Sequence, residues 1–191
     1  MRERIKEIFS ESIQIKEELL RSSVGTILKI SQLFIDCLKK GGKVIIFGNG
    51  GSASDSQHIA AELVGRFKKE RAPLPAIALT VNTSIITAIA NDYSYDFIFS
   101  RQIEALGQKN DLVVGISTSG KAKNVAAGLR QAKKMGLETV ALTGGDGGEL
   151  SKLADVCLTV PSGVTARIQE AHITIGHIIC EIVEEEFVAP K

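Results

Sequence analysis

From residue 43 onward, short apolar runs rich in β-branched residues alternate with longer stretches in which apolar positions recur every three or four residues. Five of the short runs stand out: KVIIF (43–47), AIALTV (76–81), DLVVGI (111–116), TVALTG (139–144) and VCLTVP (156–161). None alternates apolar with polar residues, which is the mark of parallel strands covered on both faces, and the helical stretches between them predict βαβ units. The expected fold is α/β, a three-layer αβα sandwich around a five-stranded parallel sheet. Ahead of it, residues 2–40 predict two helices, with Ile15, Leu19, Leu20, Ile27, Ile30, Leu33, Phe34 and Leu38 at helical spacing and Gly41-Gly42 ending the second. The last helix, from about Thr165 to Phe187, is apolar nearly all round in IQEAHITIGHIICEIV. A solvent-facing helix does not need that, so burial against other subunits is expected. No repeat, low-complexity tract or long linker divides the 191 residues. One domain is expected, with residues 1–40 serving oligomerisation and 43–187 forming the core.

Composition narrows the class. The chain is 44% hydrophobic and 24% charged with a net charge of +1, and its acidic and basic residues are interleaved. No basic stripe exists to neutralise a run of phosphates, which argues against nucleic acid as a partner. Cys37, Cys157 and Cys180 are odd in number, widely spaced and set among apolar neighbours, as buried free thiols are, which fits a reducing cytoplasm. The start, MRERIKEIF, lacks the apolar centre of a secretion signal, and no run approaches the roughly 18 apolar residues of a membrane span. A cytoplasmic protein without membrane attachment is expected.

In an open parallel sheet, ligands bind outside the carboxyl ends of the strands. The loop after the first strand, Gly48-Asn49-Gly50-Gly51-Ser52-Ala53-Ser54-Asp55, is glycine-rich and runs into a helix. Its amides can close on an anion such as a phosphate, aided by the positive end of the helix dipole. Gly48, Gly50 and Ala53 also satisfy the dinucleotide fingerprint G-x-G-x-x-G/A, but the second strand ends in Thr80-Val81-Asn82 and lacks the acidic residue that would hold a ribose. After the third strand, Ser117-Thr118-Ser119-Gly120-Lys121 offers three hydroxyls and a glycine at a helix start. That pattern suits a phosphate, and it equally suits an ordinary N-cap. Asn91-Asp92, ending a helical stretch after the second strand, could grip a hydroxylated ligand or simply mark a turn.

The candidate reacting groups lie on helices beside these loops. His58 and Glu62 share one helical face, where they could bind zinc, exchange protons, or form a solvated pair. Gln169, Glu170, His172 and His177 lie on the last helix. His172, alone on an apolar stretch, reads as a satisfied core histidine.

FGNGGSASDSQHIAAELVGRF, PAIAL, AIAND, GISTSG, ALTGGDGG and RIQEAHITIGHIICEIV, in that order, resemble the phosphoheptose isomerases of the sugar-isomerase-domain (SIS) superfamily, over about residues 43–187. The resemblance implies a Rossmann-like SIS fold and a homotetramer with active sites at subunit interfaces. The implied reaction converts sedoheptulose 7-phosphate to D-glycero-D-manno-heptose 7-phosphate, the first step towards the ADP-heptose of lipopolysaccharide cores. It implies one zinc per subunit on His58, Glu62, Gln169 and His177. The implied substrate contacts are Asn49, Gly50, Gly51, Ser52, Asn91, Asp92, Ser117, Thr118, Ser119 and Gln169. One departure is visible: the family usually has a serine where this chain has Ala122, beside Lys121, which could compensate as a point charge.

For aldose–ketose isomerisation through a cis-enediolate, Glu62 is the expected base and His177 the expected acid. Gln169 and His177 are eight residues apart, roughly 12 Å of helix rise, so a set using both predicts a broken helix or ligands from two subunits, and the second is favoured. Two other classes remain: a non-catalytic SIS-domain adaptor of replication initiation, which would tend to lose Glu62 and His177, and a sugar-phosphate-binding module without turnover.

Overall fold

The computed structural model describes residues 1–188. Two helices open the chain, α1 (Arg2–Ser22) and α2 (Val24–Lys39), followed by β1 (Val44–Gly48), α3 (Gly51–Val64) and β2 (Ala76–Ala78). Then come α4 (Thr83–Asp92), a single 3-10 turn (Tyr95–Phe97), α5 (Ser100–Leu106), β3 (Leu112–Ser117) and α6 (Lys123–Lys134). The chain continues through β4 (Glu138–Gly144), α7 (Leu150–Leu153) and β5 (Val156–Val160) to α8 (Thr165–Phe187).

All five strands pair in parallel, in the order β2-β1-β3-β4-β5. The expected sandwich is therefore what forms. Side chains alternate across the sheet with the period of two that strands impose. Val44 and Ile46 join Leu112, Val114, Ile116, Val140 and Leu142 on one face, under α2, α3 and α8. Ile45, Phe47, Val113 and Ala141 point to the other, under α5 and α6. The second strand is shorter than its apolar run: Leu79 still donates to the Ile46 carbonyl, and the chain turns there towards α4.

The order reverses between β1 and β3, since β2 lies to one side of β1 while β3, β4 and β5 lie to the other. The loops leaving β1 and β3 thus open side by side at the carboxyl edge, where a doubly wound sheet leaves a crevice. His172 is fully buried, its Nε2–H donating to the Thr143 carbonyl at 2.9 Å, and burial holds its pKa below the ordinary histidine value. That histidine is in the core as expected, with Nδ1 left without a hydrogen-bond partner among the described residues.

Candidate functional site

Three chain segments converge beyond β1 and β3. Asn49 and Ser52 from the first loop, Ser117, Thr118, Ser119 and Ala122 from the third-strand loop, and Gln169 from α8 line a cavity of about 170 Å³. Gly50, at the start of α3, has φ +56°, and Ala122 is the N-cap of α6; neither helix start carries a side-chain cap. The Ser52 and Ala53 amides are taken by the Asn49 and Gly50 carbonyls and the Val125 amide by Asn124 Oδ1, which leaves those of Gly51, Lys123 and Asn124, among the described residues, suited to an anion. The position that resemblance leads one to expect as serine is the N-cap of α6 itself, where alanine offers no acceptor and Asn124 Oδ1 takes the Val125 amide instead. Lys121 is exposed, with Nζ 3.6 Å from Asp146 Oδ2.

The two loops are tied together by side-chain amides. Asn49 Nδ2 donates to Asn124 Oδ1 and Asn124 Nδ2 donates back to Asn49 Oδ1, each at 2.9 Å, while the Tyr95 hydroxyl donates to Asn49 Oδ1 at 3.0 Å. Asn124 is buried and also accepts from the Val125 amide, which fixes its amide orientation. Asn124 and Tyr95 were missed in the sequence. An asparagine in the first turn of the helix that follows an anion-type loop was the available signal.

About two turns along α3 lies a second group. Ser52 and His58 are six residues apart, roughly 9 Å of rise. His58 Nε2 is 3.0 Å from Glu62 Oε1, as the i,i+4 spacing dictates, and His177 Nε2 from α8 is 3.4 Å from His58 Nε2. One ligand atom from each of the three lies within 4.8 Å of the others. Two imidazole nitrogens facing each other, with a carboxylate oxygen alongside, form a donor set that fits a divalent metal and leaves room for substrate in a further position. The His58 side chain is 46% exposed and that of Glu62 22%, so a small molecule can reach both. Phe67 packs beside His177 with ring centroids 5.5 Å apart.

His58, Glu62 and His177 come together within one chain, without help from a second subunit. Gln169 is placed differently: α8 is unbroken, and the Gln169 amide lies so close to Gly51 that a Cβ there would meet Nε2 at 2.3 Å. Gln169 therefore lines the cavity and is not part of the histidine group of its own chain. Asn91 and Asp92 end α4 on the surface, bonded to each other at 2.8 Å, and do not line the cavity.

Asp55, one turn before His58, was also missed. Its Oδ2 is buried without a hydrogen-bond partner among the described residues, and burial pushes its carboxyl up to about 6, against the opposing pull of His58. The folded state therefore keeps a proton that the unfolded chain releases nearer pH 4. Stability is given up as pH rises through that window, and the penalty is complete above pH 6. Asp55→Asn should accordingly raise the Tm at pH 7.5 by a few degrees and leave it nearly unchanged at pH 4, in paired calorimetric scans.

The SIS domain family model matches residues 8–144. The phosphoheptose isomerase of Aquifex aeolicus is 52% identical over 185 residues, covering 97% of each chain. The solved phosphoheptose isomerase GmhA of Neisseria gonorrhoeae superposes with a TM-score of 0.91 at 43% identity, covering 96% of this chain and 98% of that one. That of Francisella tularensis gives 0.92 at 39% identity, covering 96% and 97%. With the fold and the matches over nearly its whole length in agreement, this chain belongs to the SIS domain family and, within it, to the phosphoheptose isomerases.

Proposed function

We propose that this chain converts sedoheptulose 7-phosphate to D-glycero-D-manno-heptose 7-phosphate, the entry reaction to ADP-heptose, as a zinc-dependent homotetramer in the cytoplasm. One observation carries the reading: an anion cavity at the start of α3 and a His/Glu/His group two turns along the same helix, spaced for a phosphate and a carbonyl at opposite parts of one polyol chain.

The phosphate enters among Ser52, Ser117, Thr118, Ser119 and the Lys123 and Asn124 amides, with Asn49, Gly50, Gly51 and Gln169 on the sugar. Glu62 removes a proton from C1 of the ketose, giving a cis-enediolate, and the same carboxyl, after exchange with solvent, delivers a proton to C2 of the aldose. His177 moves the second proton, from the C1 oxygen to the C2 oxygen. His58, Glu62 and His177 would hold the zinc, with Gln169 supplied by a neighbouring subunit, and a bound zinc provides Lewis-acid polarisation of the carbonyl. An adaptor or a simple binding module would have no use for a carboxylate and two imidazoles in contact.

The test is turnover in D2O by metal-free and zinc-loaded protein, followed by NMR. Aldoheptose phosphate carrying deuterium at C2 supports the proposal. Binding of the sugar phosphate without product under either condition would turn the reading towards a binding module.

Assembly has its own support. α1, α2 and α8 border an apolar groove of about 500 Å³ lined by Leu20, Val24, Leu28 and Ile178 among others, and Phe9 and Leu28 are 66% and 61% exposed. Apolar patches of that kind mark association surfaces. Light scattering should give about four chain masses for the parent, and Leu28→Asp should yield smaller species with turnover lost in parallel. A fully active monomer would sink the interface role.

A further inference from the structure

The segment linking α3 to β2 carries no reacting group, yet it is bolted to both helices that do. Glu184 lies seven residues after His177, two turns along the same side of α8. Its carboxylate accepts the backbone amides of Phe67, Lys68 and Lys69 at 2.8, 2.7 and 2.8 Å. Arg71 Nε stands 3.4 Å from Glu184 Oε1, with the two side chains only 1% and 2% exposed. The rest of the guanidinium turns to α3: Nη2 donates to the Glu62 carbonyl at 2.8 Å, and Nη1 to the Leu63 and Gly65 carbonyls at 2.9 and 3.2 Å. These belong to the carbonyls that a helix end leaves without partners. Arg71 therefore caps α3 at the residue whose side chain is Glu62, while its charge partner belongs to the helix of His177. Between the two anchors the helices touch closely, since a Cβ on Gly176 would fall 2.8 Å from Ile59 Cδ1.

We infer that the buried Arg71–Glu184 pair is a positioning device that fixes the separation and rotation of α3 against α8, and thereby the meeting of His58 and Glu62 with His177. The inference rests on the proposed role of that triad. Phe67, brought against His177 by the same carboxylate, is part of the device.

A buried pair can also be a plain staple, and the protein contains one for comparison. Asp111, with a side chain 2% exposed, accepts Lys43 Nζ at 2.6 Å and the Lys43 and Gln108 amides at 2.9 and 2.7 Å, at the opposite edge of the sheet. The experiment titrates Co²⁺ into metal-free parent, Glu184→Gln, Arg71→Lys and Asp111→Asn, reading the visible ligand-field spectrum. It also measures Tm, and kcat and KM for sedoheptulose 7-phosphate. Glu184→Gln and Arg71→Lys should weaken Co²⁺ binding about 10- to 100-fold, alter the spectrum and lower kcat with KM nearly unchanged. Asp111→Asn should lose a similar amount of Tm, roughly 5–15 °C, and keep parental spectrum, affinity and kcat. Should Glu184→Gln not fold, Arg71→Lys carries the test, since lysine keeps the charge and lacks the fork that reaches both helices. A lowered Tm with parental Co²⁺ affinity and kcat in the Glu184 or Arg71 variant overturns the inference and leaves the triad's role intact. A parent that neither binds Co²⁺ nor turns over overturns the triad reading beneath it.

Discussion

Replacing Glu62 by Gln should lower kcat by about 10³-fold, within the range that loss of a positioned general base produces, and abolish deuterium incorporation from D2O. The fold should survive, because Glu62 lies on the rim of the site and its nearest polar contact, His58 Nε2 at 3.0 Å, can still face an amide oxygen. Glutamine keeps an oxygen donor but not the basic lone pair. Metal content measured on the same preparation separates the two functions: a metal-replete, inactive variant assigns the loss to proton transfer, and a metal-free one to ligation. Turnover near the parental rate would refute the role of Glu62 altogether.

Gly120→Ala is the second substitution with a large expected effect, and its cause is steric. Gly120 has φ +63°, and a Cβ there would fall 2.1 Å from the Gly147 carbonyl oxygen, a backbone atom that cannot swing aside. The loop that presents Ser117, Thr118 and Ser119 is fixed at this point by the Gly120 amide on the Ser117 carbonyl and the Leu150 amide on the Gly120 carbonyl. Pushing the two loops apart displaces the hydroxyls, so KM for the sugar phosphate should rise at least 10-fold, along with a loss of stability. Gly136→Ala is the matched comparison: φ is +73° but nothing lies within 4 Å of a Cβ there. It should cost only the left-handed strain of about 1–2 kcal/mol and leave KM where it was. Equal KM values for the two variants would separate Gly120 from phosphate binding.

The sheet was legible because buried parallel strands write themselves as unbroken apolar runs, and the helices because their apolar positions recur at helical spacing. Leu20 was misleading: it fits the helical pattern of α1 but lies 71% exposed on the rim of the apolar groove, where periodicity cannot tell a core face from an assembly face. His58 and Glu62 were readable as neighbours because four residues on a helix fix their proximity. Their meeting with His177, more than a hundred residues away, came from the family resemblance and depends on how α3 packs on α8. Arg71 was not readable at all, and Asn124 showed only its place in the first turn of α6. Each acts through partners distant in sequence or through backbone carbonyls, and neither leaves a local pattern that a spacing rule detects.

The helices that open the chain and the helix that closes it share one face of the sheet: Ile27, Ile30 and Phe34 from α2 lie in the same core as Ile175, Ile179 and Val183 from α8. Synthesis proceeds from the amino end, so until α8 emerges the apolar side chains of α2 and of the sheet that meet it have no partner there. A chain halted before α8 would keep α2 and α3 on that face but leave uncovered the apolar residues that pack against Ile175, Ile179 and Val183, and would also lack His177. The helix that completes this core thus also carries His177, so losing α8 would remove packing and a member of the candidate triad together.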